Sequence, residues 1–239
     1  MKKKILIFSG AGLDKESGIE TFRDSKDGLW NNHNVDEVAS IDGWYRNKER
    51  VLNFYNERRR QLNEVEPNNA HLIISSLERY FDVTVVTQNI TDLHERAGST
   101  KVIHLHGELS KIRSENSTEF IYPYDKDIKI GDLAEDGHQL RPYITWFGEN
   151  LDWKNVKLAE EAAFDSDVCI IVGTSMQVAP ANSIPFQTKD TALIYYVDPG
   201  DVEFYIPRFR EHFFYHIAEP ATKGMEKMKQ ELEEIFLKK

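Results

Sequence analysis

Short apolar runs alternate with polar segments of helical length along most of the chain. The runs predicted to be β-strands cover residues 5–8, 83–87, 101–105, 168–172 and 193–197. A run without polar interruption, such as VCIIV at residues 168–172, is typical of a strand that is buried on both faces of a sheet. The pattern therefore predicts an α/β fold in which helices cover both faces of a parallel sheet.

Helical spacing of apolar residues marks several of the intervening segments. Helices are predicted over residues 69–80, 92–97, 153–164 and 225–239, and Gly98 stops the second of them. The inward positions are expected to be Leu72, Ile73, Leu77 and Tyr80 in the first helix and Met228, Leu232 and Ile235 in the last. Residues 30–67 are polar and aromatic and indicate short helices of an inserted module.

A glycine turn follows the first predicted strand, where SGAG precedes the polar segment LDKESG. Glycines let backbone amides approach a pyrophosphate, and Asp14 is expected to cap the following helix. The spacing is not the usual dinucleotide fingerprint, because Lys15 stands where a third glycine is expected. The turn alone therefore leaves nucleotide binding and a purely structural turn as equal alternatives.

Polar side chains also follow the next two predicted strands. Gln88 and Asn89 come after the second, and His106 comes after the third. Open α/β sheets bind ligands at such carboxyl ends, although an amide pair here is also ordinary turn chemistry. His104 and His106 share a strand face and would suit a metal, but no third ligand follows at a usual spacing.

Composition narrows the function classes. The 239 residues carry a net charge of -10, which argues against a general nucleic-acid binder. Cys169 is the only cysteine, so neither an intramolecular disulfide nor a cysteine-built zinc site is expected. No apolar run approaches membrane-spanning length, and we expect a cytoplasmic monomer that does not contact membranes.

Six motifs occur in one order over nearly the whole chain. They are GAGLDKESGIETFRD, GLW at residues 28–30, TQNITDLHERAG, HLHG, WFGE at residues 146–149 and GTSMQVAPA at residues 173–181. Together they resemble the sirtuin family of NAD-dependent protein deacylases. The resemblance implies a Rossmann-like NAD-binding domain over residues 1–29, 68–107 and 142–239. A small inserted domain would cover residues 30–67 and 108–141.

The same resemblance implies roles for individual residues. His106 would be the general base, with Asn89 beside it in catalysis. The residues expected to bind NAD are Gly10, Ala11, Gly12, Phe22, Arg23, Gln88, Asn89, Ile90, Thr91, Asp92, Gly173, Thr174, Ser175, Asp198 and Ala221. The partners would be acylated lysine side chains of proteins, and the products would be free lysine, nicotinamide and O-acyl-ADP-ribose.

Tyr55 and Arg58 lie three apart and therefore share a helix face. One interpretation is an amphipathic helix with Tyr55 half-buried and Arg58 to Arg60 solvated. The pair also resembles the YxxR pair of the sirtuin branch that removes succinyl and malonyl groups, since a guanidinium and a phenol can both bind a carboxylate. The resemblance extends the expected substrate-binding set to Trp146, Phe147, Gly148, Glu149 and Val178.

The chain departs from the family in the segment that normally carries a cysteine-bound zinc ribbon. Residues 108–141 contain no cysteine, so we expect no metal and a compact loop or hairpin instead. The residues expected to hold it are Tyr122, Pro123, Tyr124 and Ile130. Residues 141–149 are expected to return to the large domain as a strand.

Three further departures fall in the expected cofactor site. Thr91 replaces an aspartate that helps bind nicotinamide in the family, Asp14 replaces a serine, and Asp198 replaces an asparagine. The first two are expected to weaken NAD binding, and the first to weaken inhibition by nicotinamide. Two other hypotheses stay open: an NAD hydrolase or ADP-ribosyl transferase on the same scaffold, and a binding module with little turnover.

Overall fold

In the computed structural model, which describes residues 2–19 and 34–237, two separate sheets organise the chain. The described strands are β1 Lys4–Ser9, β2 Asp82–Thr87, β3 Val102–His104, β4 Gly107–Ser114, β5 Ile121–Pro123, β6 Leu140–Ile144, β7 Val168–Val172, β8 Leu193–Val197 and β9 Phe214–Ile217. The described α-helices are α1 Ala11–Lys15, α2 Val35–Val38, α3 Ile41–Arg46, α4 Lys48–Leu62, α5 Asn69–Leu77, α6 Leu93–Arg96, α7 Trp153–Asp165 and α8 Ala221–Phe236.

The larger sheet has six strands in the order β3-β2-β1-β7-β8-β9, and every neighbouring pair is parallel. Strands β1, β7 and β8 are almost completely buried, as their apolar runs predict. The predicted Rossmann-like fold is therefore confirmed. The sequence pattern did not predict β9, because His216 and exposed Tyr215 interrupt its apolar residues.

Helices cover both faces of this sheet. Helices α5 and α8 pack on one face, while α7 and the 3₁₀ segment Ala181–Gln187 pack on the other. In α5 the buried residues are Ala70, His71, Ile73, Ile74 and Leu77. The predicted inward positions Leu72 and Tyr80 were wrong, because α5 presents the other side and ends before residue 80. Ile235 at the end of α8 is likewise exposed.

The smaller sheet is antiparallel, in the order β5-β4-β6, and its core includes residues of α4. Residues 141–149 were expected to form a single strand, but β6 ends at Ile144 and pairs with β4 of the smaller sheet. Ile130 was predicted to lie in the core of this segment but is exposed, and Ile128 is the buried residue instead. The proposed domain boundaries stay a prediction.

A network of polar contacts holds the segment between β5 and β6. The Gln139 side-chain amide donates to the carbonyls of Lys129, Asp132 and Leu140, and its oxygen accepts from the Gly131 N–H. Gln139 is 8 % exposed, so its polar atoms are paired with the backbone rather than with water. None of the helices in the described ranges is long and apolar enough to cross a membrane.

Candidate active site

Two glycine turns, at residues 9–12 and 173–175, meet at the carboxyl ends of β1 and β7. The strand order of the sheet reverses between these two strands. The Gly10 N–H donates to Val172 O (3.1 Å) and the Gly12 N–H donates to Gly173 O (2.8 Å). A Cβ on Gly10 would lie 2.5 Å from Thr174 Cβ, and one on Gly12 would lie 2.9 Å from Gly173 Cα. Only glycine therefore allows the two turns to come this close. Ligands of open α/β sheets bind at this kind of switch point.

Helix α1 begins directly after the first turn and buries Asp14. The helix starts at Ala11 with Gly10 as its N-cap, so Asp14 lies within the helix and the predicted cap was wrong. Asp14 is 3 % exposed, and its carboxylate accepts a hydrogen bond from the Thr91 hydroxyl (Oδ2 to Oγ1, 2.7 Å). The His71 Nε2 atom lies 3.2 Å from Oδ1.

The amide pair after β2 is held against both glycine turns. The Asn89 side-chain amide donates to Gly10 O (3.0 Å), and the Asn89 N–H donates to Thr87 Oγ1 (3.0 Å). The Gln88 side-chain amide donates to Thr174 Oγ1 (3.0 Å). The tertiary structure thus brings the ends of β2, β1 and β7 together through these two side chains.

His106 is arranged as a neutral base. Its Nδ1 lies 2.9 Å from Gln88 O, and because a carbonyl oxygen only accepts, Nδ1 carries the hydrogen. Burial lowers the pKa of His106, and the bond to Gln88 only partly opposes this shift. The neutral ring therefore leaves Nε2 unprotonated and able to accept a proton.

His104 has a different role from His106, although the two are close in sequence. Its Nδ1 faces Asn89 O (3.1 Å) and its Nε2 faces Glu95 Oε1 (2.8 Å), so both nitrogens meet acceptors. Burial alone would lower the pKa of His104, but the hydrogen bond and charge of Glu95 outweigh it and raise the pKa. Across residues 2–19 and 34–237, no group of three or more His, Cys, Asp or Glu side chains is placed to hold a metal ion.

The remaining predicted cofactor residues surround these turns or lie nearby. Asp198 follows β8, is half-buried, and accepts from the Gly200 N–H (2.9 Å). Ala221 is buried as the first residue of α8. The other predicted residues range from exposed Ala11 through half-buried Ile90, Asp92 and Ser175 to buried Thr91. Phe22 and Arg23 lie outside the described residues.

The donor set at this edge of the sheet suits a dinucleotide. Hydroxyl, amide, carboxylate and imidazole groups come from the ends of β1, β2, β3, β7 and β8, which are neighbours in the sheet. Such groups recognise ribose hydroxyls and phosphates, and none of them is a ligand set for a structural metal. The described residues that would hold NAD are Gly10, Ala11, Gly12, Gln88, Asn89, Gly173, Thr174, Ser175 and Asp198.

The predicted acyl side lies on helix α4 and the segment after β6. Tyr55 and Trp146 are both buried, and the indole Nε1–H of Trp146 donates to the Tyr55 oxygen (2.9 Å). Arg58 is 8 % exposed, lies over the Phe54 ring (4.9 Å) and donates to Gln61 Oε1 (3.2 Å). The interpretation with Arg58 in solvent was therefore wrong.

The WFGE segment is held in place by Glu149. Its carboxylate accepts two bonds from Arg141 (2.7 and 2.8 Å), one from Arg113 (3.0 Å) and one from the Trp146 N–H (2.9 Å). The Arg141 guanidinium lies 3.3 Å from the centre of the Trp146 ring. The sequence gives no sign of the Arg141–Glu149 pair, because the two residues are brought together by the turn after β6.

The other members of the predicted acyl set lie around this pair. Phe147 is 50 % exposed and forms an isolated parallel bridge with Ser40. Gly148 has a φ of +88°, which a residue with a side chain rarely adopts. Val178, in the segment after the second glycine turn, is half-buried.

Comparisons with known proteins agree with this arrangement. The sequence profile of the Sir2 family matches residues 10–180. The chain is 50% identical over 206 residues to an NAD-dependent protein deacylase of Helicobacter pylori (strain ATCC 700392 / 26695), covering 86% of this chain and 89% of that protein. It is 40% identical over 234 residues to one of Bacteroides thetaiotaomicron, covering 95% and 97%.

Solved structures show the same fold. A mutant of a Sir2 homologue in complex with ADP-ribose has a TM-score of 0.86 at 33% identity, covering 100% of this chain and 95% of that chain. A Sir2 homologue in complex with NAD has a TM-score of 0.85 at 33% identity, covering 98% and 91%.

Proposed function

The chain belongs to the Sir2 family and is an NAD-dependent protein deacylase, and we propose that it prefers lysines carrying acidic acyl groups such as succinyl and malonyl. The observation that carries the proposal is the burial of Tyr55 and Arg58 on the same helix, α4. The Tyr55 oxygen accepts a hydrogen bond from Trp146. The cytoplasmic location and the monomeric state stay predictions.

His106 acts as the general base in this proposal. NAD, when bound, would supply the ADP-ribosyl group to which the acyl group is transferred, with nicotinamide as the leaving group. The unprotonated Nε2 of His106 would accept a proton from a ribose hydroxyl of the cofactor, and Gln88 O holds the ring by its Nδ1–H. Asn89 orients the ribose from the position fixed by its bond to Gly10 O.

The two glycine turns hold the phosphates in this proposal. Ala11, Thr174 and Ser175 present backbone and hydroxyl groups at the switch point between β1 and β7. Asp198, at the end of β8, accepts from ribose hydroxyls on the adenosine side. These roles rest on the position of each residue at the carboxyl edge of the sheet.

The direction of one hydrogen bond supports the proposed acidic-acyl preference. An indole N–H can only donate, so the Tyr55 oxygen accepts from Trp146 and its own hydrogen points elsewhere. Burial raises the pKa of the Tyr55 phenol, which keeps that hydrogen in place at neutral pH. A hydroxyl that still has a hydrogen to donate suits an acyl carboxylate, and Arg58 adds positive charge from the same helix face.

Turnover of one peptide carrying succinyl-, malonyl- or acetyl-lysine tests this proposal. Arg58→Met is expected to lower kcat/KM for the succinyl peptide by about 10- to 100-fold, the usual range for a lost bond to a charged group, while changing acetyl turnover by less than about threefold. Arg60→Met is the matched control, because Arg60 lies on the same helix but is exposed and pairs with Asp127.

Two results would contradict the preference. One is a wild-type enzyme that turns over acetyl-lysine better than succinyl-lysine. The other is an Arg58→Met variant that loses succinyl and acetyl turnover equally. Release of ADP-ribose at the same rate without any acyl peptide would instead indicate an NAD hydrolase.

A further inference from the structure

A buried carboxylate cluster lies beneath the first glycine turn and consists of Asp14, Thr91 and His71. The three residues are 3 %, 6 % and 0 % exposed. Asp14 Oδ2 lies 2.7 Å from Thr91 Oγ1, and Asp14 Oδ1 lies 3.2 Å from His71 Nε2. Each residue comes from a different part of the chain: α1, the segment after β2, and α5.

The direction of the bonds in the carboxylate cluster follows from chemistry. An ionised carboxylate only accepts, so the Thr91 hydroxyl and the His71 Nε2–H both donate to Asp14. A carboxylate that is removed from water needs such donors, because an unpaired buried charge is strongly unfavourable. The cluster therefore fixes α1 relative to residue 91.

The bond between Asp14 and Thr91 holds the end of the segment that carries Gln88 and Asn89. Gln88 and Asn89 lie three and two positions before Thr91 and bond to Thr174 and Gly10, which belong to the two glycine turns. The 88–91 segment is thus attached to the glycine turns at its start and to α1 at its end. A change in the Asp14 to Thr91 bond would shift both side chains of this segment that are expected to bind NAD, Gln88 and Asn89.

We propose that Asp14 is a positioning residue for NAD binding, acting through Thr91 on Gln88 and Asn89; this rests on the cofactor roles proposed above for those two side chains. The two residues of this bond are also two of the positions at which the chain departs from the sirtuin pattern of serine and aspartate. Because Asp14 and Thr91 are in contact, the two departures together exchange the positions of one hydroxyl and one carboxylate. In this proposal the two departures compensate each other, whereas either one alone would weaken NAD binding.

A four-variant set tests the exchange: Asp14→Ser, Thr91→Asp, Thr91→Val and the double variant Asp14→Ser/Thr91→Asp. Calorimetry measures the Kd of ADP-ribose, steady-state kinetics measures KM for NAD, and thermal unfolding without ligand measures stability. Thr91→Asp places two carboxylates in contact, and Thr91→Val and Asp14→Ser each remove the charged bond. Each single variant is expected to weaken ADP-ribose binding and raise KM by about tenfold or more.

The double variant distinguishes positioning from bulk stability. It restores a hydroxyl-to-carboxylate bond in the opposite direction, and its Kd is expected to return to within about threefold of the wild-type value. Ser166→Ala is the matched control. It removes a buried hydroxyl bond, to Ala163 O, at the opposite edge of the sheet, so it lowers stability without changing the Kd for ADP-ribose.

The failures of the two proposals are distinguishable. Asn89→Ala that leaves ADP-ribose binding unchanged would overturn the cofactor assignment and the positioning role together. Asn89→Ala that weakens binding, combined with single Asp14 and Thr91 variants that change only the unfolding temperature, would overturn the positioning role alone. A double variant that binds as poorly as Thr91→Asp would also overturn it.

Discussion

Glu149→Gln is expected to destabilise the enzyme strongly, because it removes the charge that balances a buried guanidinium. Arg141 is 1 % exposed, and both of its terminal nitrogens donate to the Glu149 carboxylate. Glutamine keeps the shape of the side chain but turns an NH₂ group towards a cation. The Arg113 bond and the bond from the Trp146 N–H depend on the same two oxygens.

The expected loss in the free energy of unfolding is about 3 kcal/mol, at the lower end of the range for breaking a buried ion pair. We take the lower end because the Glu149 side chain is 16 % exposed and glutamine still accepts one bond. For a chain of this size the loss corresponds to a fall of about 6–12 °C in Tm.

The pH dependence of this loss has a definite sign. Burial alone would raise the pKa of Glu149, but the hydrogen bonds and charge of Arg141 hold it below the usual range. A carboxyl whose pKa is depressed by folding contributes stability above its unfolded pKa of about 4.3 and loses it as pH falls through the folded value. The difference between wild type and variant is therefore constant near neutral pH and shrinks in acid.

Urea unfolding followed by circular dichroism at neutral pH measures the effect. Glu161→Gln is the control, because the Glu161 side chain is 62 % exposed and its pair with Lys157 spans 3.8 Å, so a change of less than about 0.5 kcal/mol is expected. A Glu149→Gln variant within about 0.5 kcal/mol of wild type would refute the reasoning.

Three further predictions concern the base, the loop of the small sheet and one glycine. His106→Ala is expected to lower kcat by about 10²- to 10⁴-fold without changing the Kd of ADP-ribose. In the wild type, kcat/KM is expected to fall only below the ordinary histidine pKa of about 6.5, because burial lowers the pKa of His106. Gln139→Ala is expected to lower the free energy of unfolding by about 1–3 kcal/mol, because it removes the hydrogen bonds of a buried side chain to the backbone of Lys129, Gly131 and Asp132, as measured by urea unfolding. Gly107→Ala is expected to lower Tm markedly in thermal scans, because φ is +83° and a Cβ would lie 2.1 Å from Tyr143 O.

Local pattern was sufficient for every strand of the large sheet except β9. Uninterrupted apolar runs predicted β1, β7 and β8, since burial on both faces requires such runs whatever the neighbours are, and a β-branched run predicted β2. Helix faces were less predictable. Leu72 and Ile235 fit a helical period but are exposed, because the orientation of α5 and α8 depends on the sheet beneath them.

The small sheet was the least predictable part. Residues 108–141 lack a strong periodicity, and the partner of β6 could not be read from its own composition. Its pairing with β4 depends on residues 115–139, which bring the chain back within hydrogen-bonding distance of β4. The choice of Ile128 over Ile130 as a core residue follows from that pairing and the position of α4.

The sequence by itself determined the kind of fold and the order of the candidate site residues along the chain. Apolar runs ending in glycine or amide residues place those groups at the carboxyl ends of parallel strands, which are local properties. Only the tertiary structure decided the protonation of His106, the direction of the Tyr55 hydrogen and the burial of Asp14 against Thr91, which is 77 positions away. Each depends on which acceptor or donor lies a few ångströms away in space, and contacts between distant segments exist only after the chain has folded.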